Sequence, residues 1–164
     1  MRKSVAAKAW SRRQFVITLA AGSAAAAALA AAPVRWAHAA EEPKTVEEAI
    51  KLLVGDKQLA DGAKVISLEL PQIAENGNTV PLGVAVKSPM TEQDHVTSVH
   101  ILADGNPRPD VASLHFTPAS GVAKASTRMR LAKTQHVVAI AEMSDGKAYI
   151  TEAEVKVTIG GCGG

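Results

Sequence analysis

The sequence has little cysteine and few aromatic residues. It contains one Cys, and aromatic residues make up 3% of its 164 residues. A single Cys excludes an internal disulfide framework and a Cys-rich metal cluster. Beyond residue 40 the aromatic residues are Phe116 and Tyr149 alone. A pocket lined by aromatic rings, which many small molecules and sugars require, cannot be built from two of them.

Acidic residues are absent from the first 39 positions. This segment carries six basic residues and an alanine-rich apolar stretch over 15–32, and it ends in Ala37-His38-Ala39. A basic start, an apolar run and small residues before a cleavage point are typical of a signal peptide. We place the cleavage between Ala39 and Ala40. The alternative, an uncleaved membrane anchor, is disfavoured because alanine is weakly apolar and polar residues interrupt the run.

A motif just before the apolar run resembles the twin-arginine export signal, whose pattern is Ser/Thr-Arg-Arg-x-Phe-Leu. Here it stands as Ser11-Arg12-Arg13-Gln14-Phe15-Val16. The resemblance implies that Arg12 and Arg13 direct the folded protein across the bacterial inner membrane, and hence a periplasmic location.

Most of the basic charge excess belongs to this leader. Without residues 1–39 the chain has 12 basic and 16 acidic residues, so its net charge is −4 rather than +2. An acidic protein repels nucleic-acid phosphates, which argues against a nucleic-acid partner. The remaining length suffices for one domain.

A short helix is predicted at the start of the mature chain. Thr45 and Glu48 have the spacing of a capping box, and apolar residues follow at helical spacing as far as Leu53. Gly55 supplies a stop signal. We therefore predict one amphipathic helix over 46–54.

From Lys64 onward the apolar residues alternate with polar ones, which is the period of a β-strand. Turn sequences such as Asn76-Gly77 and Asp145-Gly146 separate the runs. The pattern predicts an all-β domain over 40–159, an immunoglobulin-like antiparallel β-sandwich of about seven or eight strands. We expect polar outer faces and a core of Val, Ile, Leu and Ala.

The chain ends in Gly160-Gly161-Cys162-Gly163-Gly164. Glycine loses the most entropy on ordering and has no side chain to bury, so this segment is predicted to be a mobile arm. Fully extended, it reaches about 15 Å beyond the sheet. A thiol on so narrow an arm suits insertion into another protein's active site.

The arm thiol has no neighbour that would activate it. The arm contains no Lys, Arg or His to favour the thiolate. Cysteine sulfur can nevertheless form and release S–S bonds, so it can hold sulfur covalently. We therefore interpret Cys162 as an anchor for substrate rather than a catalyst, and the protein as no enzyme. The alternatives are a disordered tail with an incidental Cys and a disulfide between subunits.

Two other residue sets were weighed as sites. Arg128 and Arg130 share one face of a predicted strand, where they either meet an acidic partner or lie on a solvated face. The histidines match no metal-ligand spacing and are interpreted as structural, and no nucleophile elbow presents a serine. These histidines are His95, His100, His115 and His136.

Several segments together resemble the SoxY family of bacterial thiosulfate oxidation, whose hallmark is a C-terminal Gly-Gly-Cys-Gly-Gly arm. The resemblance covers residues 45–164. The matching segments are Val46-Glu47-Glu48-Ala49-Ile50, Glu75-Asn76-Gly77-Asn78, Ser88-Pro89-Met90, His115-Phe116-Thr117-Pro118-Ala119-Ser120-Gly121, Ala141-Glu142-Met143-Ser144-Asp145-Gly146 and the arm itself.

The resemblance implies a heterodimer with a second immunoglobulin-like subunit, SoxZ. It implies that the haem enzyme SoxAX joins thiosulfate to Cys162 as an S-thiosulfonate and that the hydrolase SoxB then releases sulfate. In some pathways a sulfur dehydrogenase oxidises the remaining persulfide. The cofactors belong to those enzymes, and none is implied for this chain.

Two other functions remain open from the residues. Gly163-Gly164 also fits a ubiquitin-like sulfur carrier, which uses a terminal thiocarboxylate, although the many strands and the export signal argue against it. A structural immunoglobulin-like subunit that carries no sulfur is the other.

Overall fold

A computed structural model describes residues 42–160, which form one α-helix, nine strands and, between the sixth and seventh strands, a short 3-10 helix (Pro118–Ser120). Their order along the chain places the α-helix first. The elements are α1 (Val46–Val54), β1 (Leu59–Asp61), β2 (Ile66–Glu69), β3 (Ile73–Asn76), β4 (Val80–Val86), β5 (Val96–Ala103), β6 (Asp110–His115), β7 (Ala123–Met129), β8 (Gln135–Met143) and β9 (Ala148–Ile159).

The predicted helix is confirmed at both ends. Thr45 caps α1, and its side-chain oxygen accepts a hydrogen bond from the backbone N–H of Glu48 at 3.2 Å. Glu48 reaches back to the N–H of Lys44 at 2.9 Å, one residue before the position expected for a capping box. Gly55 ends the helix with a φ of 61°, a left-handed conformation that favours glycine.

Two sheets face each other, as the alternation predicts. The larger has the strand order β1-β9-β8-β5-β6, with β3 also paired to β9, and the smaller has the order β2-β4-β7. The immunoglobulin-like sandwich is thereby confirmed.

Two pairings differ from a purely antiparallel sandwich. β1 and β3 both run parallel to β9, one beside its first residues and the other beside its last. β9 is 12 residues long, so one edge has room for both. Strands of three and four residues are too short to show a period, which is why the sequence predicted neither.

The main core lies between the two sheets and is aliphatic, as predicted. Phe116 and Tyr149 pack against it from partly buried positions. Its fully buried side chains come from both sheets and from the loop after β7. They include Val80, Val84, Val99, Ile101, Leu131, Val137 and Val155.

The outer face of the larger sheet is not polar throughout, contrary to expectation. Where α1 crosses it, Leu102, Val138 and Ile140 are buried against Val46 and Ala49. β5 and β8 are therefore buried on both faces in this part, because the helix has an apolar side that must be covered. None of the helices in the described residues is long and apolar enough to cross a membrane.

Candidate functional site

Strand β9 delivers the chain to the predicted arm. It pairs with β8 over eight residues, from Ala148 to Val155, and β3 holds its last four residues on the opposite side. The two ladders follow one another along β9, and beyond Val155 the edge away from β3 is held by Val157 N–H, which donates to the Thr134 hydroxyl at 3.0 Å. The arm therefore starts from a rigid part of the sandwich.

The final residue of β9 is tied to the turn between β3 and β4. The carbonyl oxygen of Ile159 accepts a hydrogen bond from Gly77 N–H at 2.8 Å. The carbonyl oxygen of Gly77 in turn accepts from Leu131 N–H, also at 2.8 Å. This chain of bonds connects the start of the arm to both sheets.

Gly160 sits in a place that only glycine can occupy. A Cβ atom built on it would lie 2.2 Å from the carbonyl oxygen of Ala132, far inside van der Waals contact. Ala132 is itself held by Asn106, whose side-chain oxygen accepts from Ala132 N–H at 2.9 Å. Asn106 also donates to the carbonyl oxygen of Arg130 at 3.0 Å. The first glycine of the arm is thus required by packing, which the composition of the arm alone does not reveal.

The remaining predicted site residues lie outside the described part of the chain. Gly161, Cys162, Gly163 and Gly164 follow the last described residue, and the export-signal residues Arg12 and Arg13 precede the first. The structure therefore defines the point of departure, Gly160, and the surface around it.

Arg128 and Arg130 lie on the outer face of the smaller sheet's edge at β7. Both are exposed, and they alternate with the buried Met129 and Leu131 as the strand pattern predicted. An Nη of Arg128 donates to the hydroxyl of Thr79 at 3.3 Å. Arg130 precedes Ala132 by two residues, and the Ala132 carbonyl oxygen faces Gly160.

The four histidines do not converge on one site. His95 contacts the Thr91 carbonyl, His136 lies 3.2 Å from Asp104, and His115 meets the ring of His100 edge-on at 6.4 Å. In residues 42–160 no group of three or more His, Cys, Asp or Glu side chains is arranged to hold a metal ion.

His100 belongs to a largely buried polar network on the larger sheet, formed by side chains of β5, β6 and β8. Its Nε2 lies 3.1 Å from Glu142 Oε1 and its Nδ1 lies 2.8 Å from the Ser113 hydroxyl. Glu142 also accepts from the Ser98 hydroxyl at 3.0 Å and from the Lys57 ammonium. Because a carboxylate only accepts, Nε2 carries a proton. The network joins the loop after α1 to β5, β6 and β8.

Glu142 makes this network sensitive to acid. Burial alone would raise the pKa of Glu142, but hydrogen bonds from Lys57, His100 and Ser98 outweigh it and hold the pKa below its ordinary value. A carboxyl whose pKa is lower in the folded state stabilises the fold above its unfolded pKa. That contribution is lost as the pH falls through the folded pKa.

We predict that Glu142→Gln lowers the free energy of unfolding at pH 7 by about 1–3 kcal/mol, since charge-assisted hydrogen bonds are lost. The deficit should shrink as the pH falls below the ordinary glutamate pKa of about 4.3 towards the lowered pKa of folded Glu142, because the contribution of the ionised carboxylate is lost over that range. Urea unfolding at pH 7 and pH 3 measures both. The matched control is Glu152→Gln, an exposed carboxylate on β9, and a deficit as large for it would contradict the role of the network.

Comparison with known proteins gives the family. A family model described as sulfur oxidation protein SoxY matches residues 50–162, more than half of the chain. The chain belongs to the SoxY family. The match runs from the middle of α1 to the arm cysteine, and so covers the second half of the helix, both sheets and the exit of β9. The resemblance read from the sequence is confirmed. No curated protein sequence matches the chain.

Solved structures agree with this assignment. The sulfur carrier protein SoxY from Chlorobium limicola f thiosulfatophilum is 35% identical, covers 70% of this chain and 97% of its own, and has a TM-score of 0.60. A superoxide reductase (neelaredoxin) from Ignicoccus hospitalis is 16% identical, with coverages of 57% and 80% and a TM-score of 0.52. At that identity the second likeness shows the fold alone. SoxY family membership and the Chlorobium structure together support a sulfur-carrier role in sulfur oxidation.

The sequence did not predict the contacts that fix the arm's base. Gly77 was recognised only as part of a turn, and Asn106 and Ala132 were not singled out. The signal available was weak, because an Asn-Gly turn and an Asp-Gly-Asn-Pro loop are ordinary strand connections. What makes them relevant is their position beside Gly160, which depends on long-range strand pairing.

Proposed function

We propose that this SoxY-family chain carries thiosulfate-derived sulfur covalently on Cys162 in the periplasm and presents it to partner enzymes. The observation that carries the proposal is the way β9 ends. Its last residues pair with β3 on one edge and bond to the Thr134 hydroxyl on the other, the strand stops at Ile159, and Cys162 follows three residues later within a run of glycines. A rigid base with a narrow extension suits delivery of one side chain into another protein.

The chemistry requires only a thiol from this protein. In loading, the Cys162 sulfur bonds to the outer sulfur of thiosulfate, the thiol proton is released, and the two electrons would leave one at a time to the loading enzyme, whose haem would serve as a one-electron acceptor. In release, water attacks the sulfonate sulfur, sulfate leaves, and a persulfide stays on Cys162. Each step makes or breaks one bond at the carried sulfur atoms, which is within the chemistry of cysteine.

The partner enzymes supply catalysis in this scheme. The arm has no basic side chain to lower the thiol pKa, so the groups that activate Cys162 belong to the enzyme that receives it. A second immunoglobulin-like subunit, SoxZ, completes the carrier, and SoxAX, SoxB and in some pathways a sulfur dehydrogenase act on the arm. The twin-arginine leader exports the folded carrier.

Intact-protein mass spectrometry tests the proposal. The protein is purified from the periplasm of cells grown on thiosulfate, and its mass is measured with and without reductant. We expect sulfur-containing adducts that reductant removes and that peptide mapping places on Cys162. An adduct on the terminal carbonyl would instead indicate a thiocarboxylate carrier. An unmodified thiol throughout would indicate a structural subunit.

A further inference from the structure

Two cationic residues lie within two positions of Ala132, whose carbonyl oxygen faces Gly160 where the arm leaves the sandwich. Gly160 lies against the carbonyl of Ala132, and Lys133 is the next residue along the chain. Arg130 stands two residues before Ala132, on the outward side of the extension of β7. Both are exposed. We call Arg130 and Lys133 the arm-side cations.

No carboxylate of residues 42–160 lies within 4.0 Å of the nitrogens of the arm-side cations. Among the acidic residues in the described part of the chain, Asp104 and Asp110 have cationic partners of their own. Asp104 contacts His136, Asp110 lies 3.6 Å from Arg108, and Glu75 on β3 is exposed.

The charge of the segment around Ala132 is opposite in sign to the net charge of the whole domain. Residues 40–164 carry a net charge of −4, yet the three charged residues over 128–133 are Arg128, Arg130 and Lys133. The aliphatic stem of Lys133 packs over Gly105, since its Cε lies 2.9 Å from where a Gly105 Cβ would be. Lys133 lies in the loop between β7 and β8, and this contact supports the side chain that bears the ammonium group.

We propose that the arm-side cations form a docking surface for a carboxylate-rich rim around the active-site entrance of the enzymes that receive the arm. The proposal rests on the carrier function above. Cys162 is two residues beyond Gly160, so an enzyme that accepts it must approach to within about 7 Å of Gly160, and its entrance faces the residues beside Gly160. Two exposed cations at that place attract carboxylates and orient the encounter.

Such a surface acts on encounter rather than on chemistry. Charged residues at the edge of an interface chiefly change the association rate and its dependence on salt. The turnover at saturating carrier is set by the arm inside the enzyme, which the cations do not enter. The expected signature is therefore a change in KM for the carrier with an unchanged kcat.

The test is a double charge reversal, Arg130→Glu with Lys133→Glu, assayed with the purified loading enzyme and thiosulfate. The matched control is Lys87→Glu with Lys124→Glu, which makes the same charge change at the other end of the smaller sheet, about 20 Å away along β7. We expect the arm-side reversal to raise KM for the carrier at least tenfold at low ionic strength. The control should stay within twofold, and 0.5 M salt should remove most of the difference.

A milder pair, Arg130→Gln with Lys133→Gln, guards against misfolding and should raise KM about threefold. Circular dichroism melts and binding to the second subunit should match those of the wild type. Equal effects at both ends of the sheet, an effect on kcat alone, or loss of second-subunit binding would each overturn the proposal. So would an effect restricted to the sulfate-releasing step, which would assign the cations to the anionic adduct. Failure of the carrier function is distinguishable, because wild-type Cys162 would then never be loaded.

Discussion

Replacing Cys162 with Ser should abolish reductant-sensitive sulfur adducts and thiosulfate-dependent respiration together. Serine keeps the size and polarity of the side chain but its oxygen cannot form and release S–S bonds under these conditions. Since the chain contains no second Cys, no other side chain can replace it. Oxygen uptake by cells given thiosulfate, in a strain whose own gene is replaced, measures the loss, which we expect to be complete.

The Cys162→Ser substitution should not change the stability of the fold. Cys162 lies three residues beyond Ile159, whose carbonyl makes the last hydrogen bond to the sandwich within residues 42–160, so the variant should melt at the wild-type temperature and bind the second subunit normally. Those two measurements are the control for the respiration assay. Respiration that persists in the Cys162→Ser strain, with the protein folded and exported, would show that the chain is a structural subunit.

Local signals were sufficient to predict the helix. Thr45, Glu48 and Gly55 each act on residues within one turn of themselves, and α1 occupies the predicted residues 46–54. The alternation of apolar residues likewise placed the inward-facing side chains of β4 and β5, because strand periodicity depends only on neighbours two residues apart. In β8 it indicated Val138 and Ile140, which instead lie under the helix on the outer face.

The pairings of β9 depended on information that is not local. β9 accepts β1 and β3 on one edge, which brings Gly77 beside Ile159 although the two are far apart in sequence. The helix covers Leu102 and Ile140 for the same kind of reason: nothing near α1 specifies which sheet face it will meet. Periodicity can assign a residue to a face, but it cannot say what packs on that face.

For the candidate site, composition indicated an arm but not the contacts at its base. Four glycines around one Cys indicated an arm, and the family match extends to residue 162. The role of Gly160 as the residue that passes close to the Ala132 carbonyl required coordinates. The glycine that starts the arm is therefore constrained by the sandwich, while the reasoning from sequence had given all four the same purpose.

Leu131→Ala is expected to be the most destabilising of the substitutions considered, because Leu131 joins the core to the arm's base. Its side chain is fully buried between the sheets, and its N–H donates to Gly77, the residue that holds Ile159. Removing three carbons from such a site leaves a cavity and costs about 2–5 kcal/mol. With roughly 4 °C lost per kcal/mol for a domain of this size, the melting temperature should fall by about 8–20 °C.

The matched control for Leu131→Ala is Leu52→Ala, on the exposed side of α1. Leu52 is 67% exposed, and alanine is the better helix former, so its free energy of unfolding should change by less than about 0.5 kcal/mol. Similar melting temperatures for the two variants would contradict the assignment of Leu131 to the core. If the assignment holds, hydrogen exchange at Gly77 should rise in Leu131→Ala well below the melting temperature. The bond from Gly77 to Ile159 depends on a turn that Leu131 anchors, so the rigid base from which the arm extends would loosen before the sandwich unfolds.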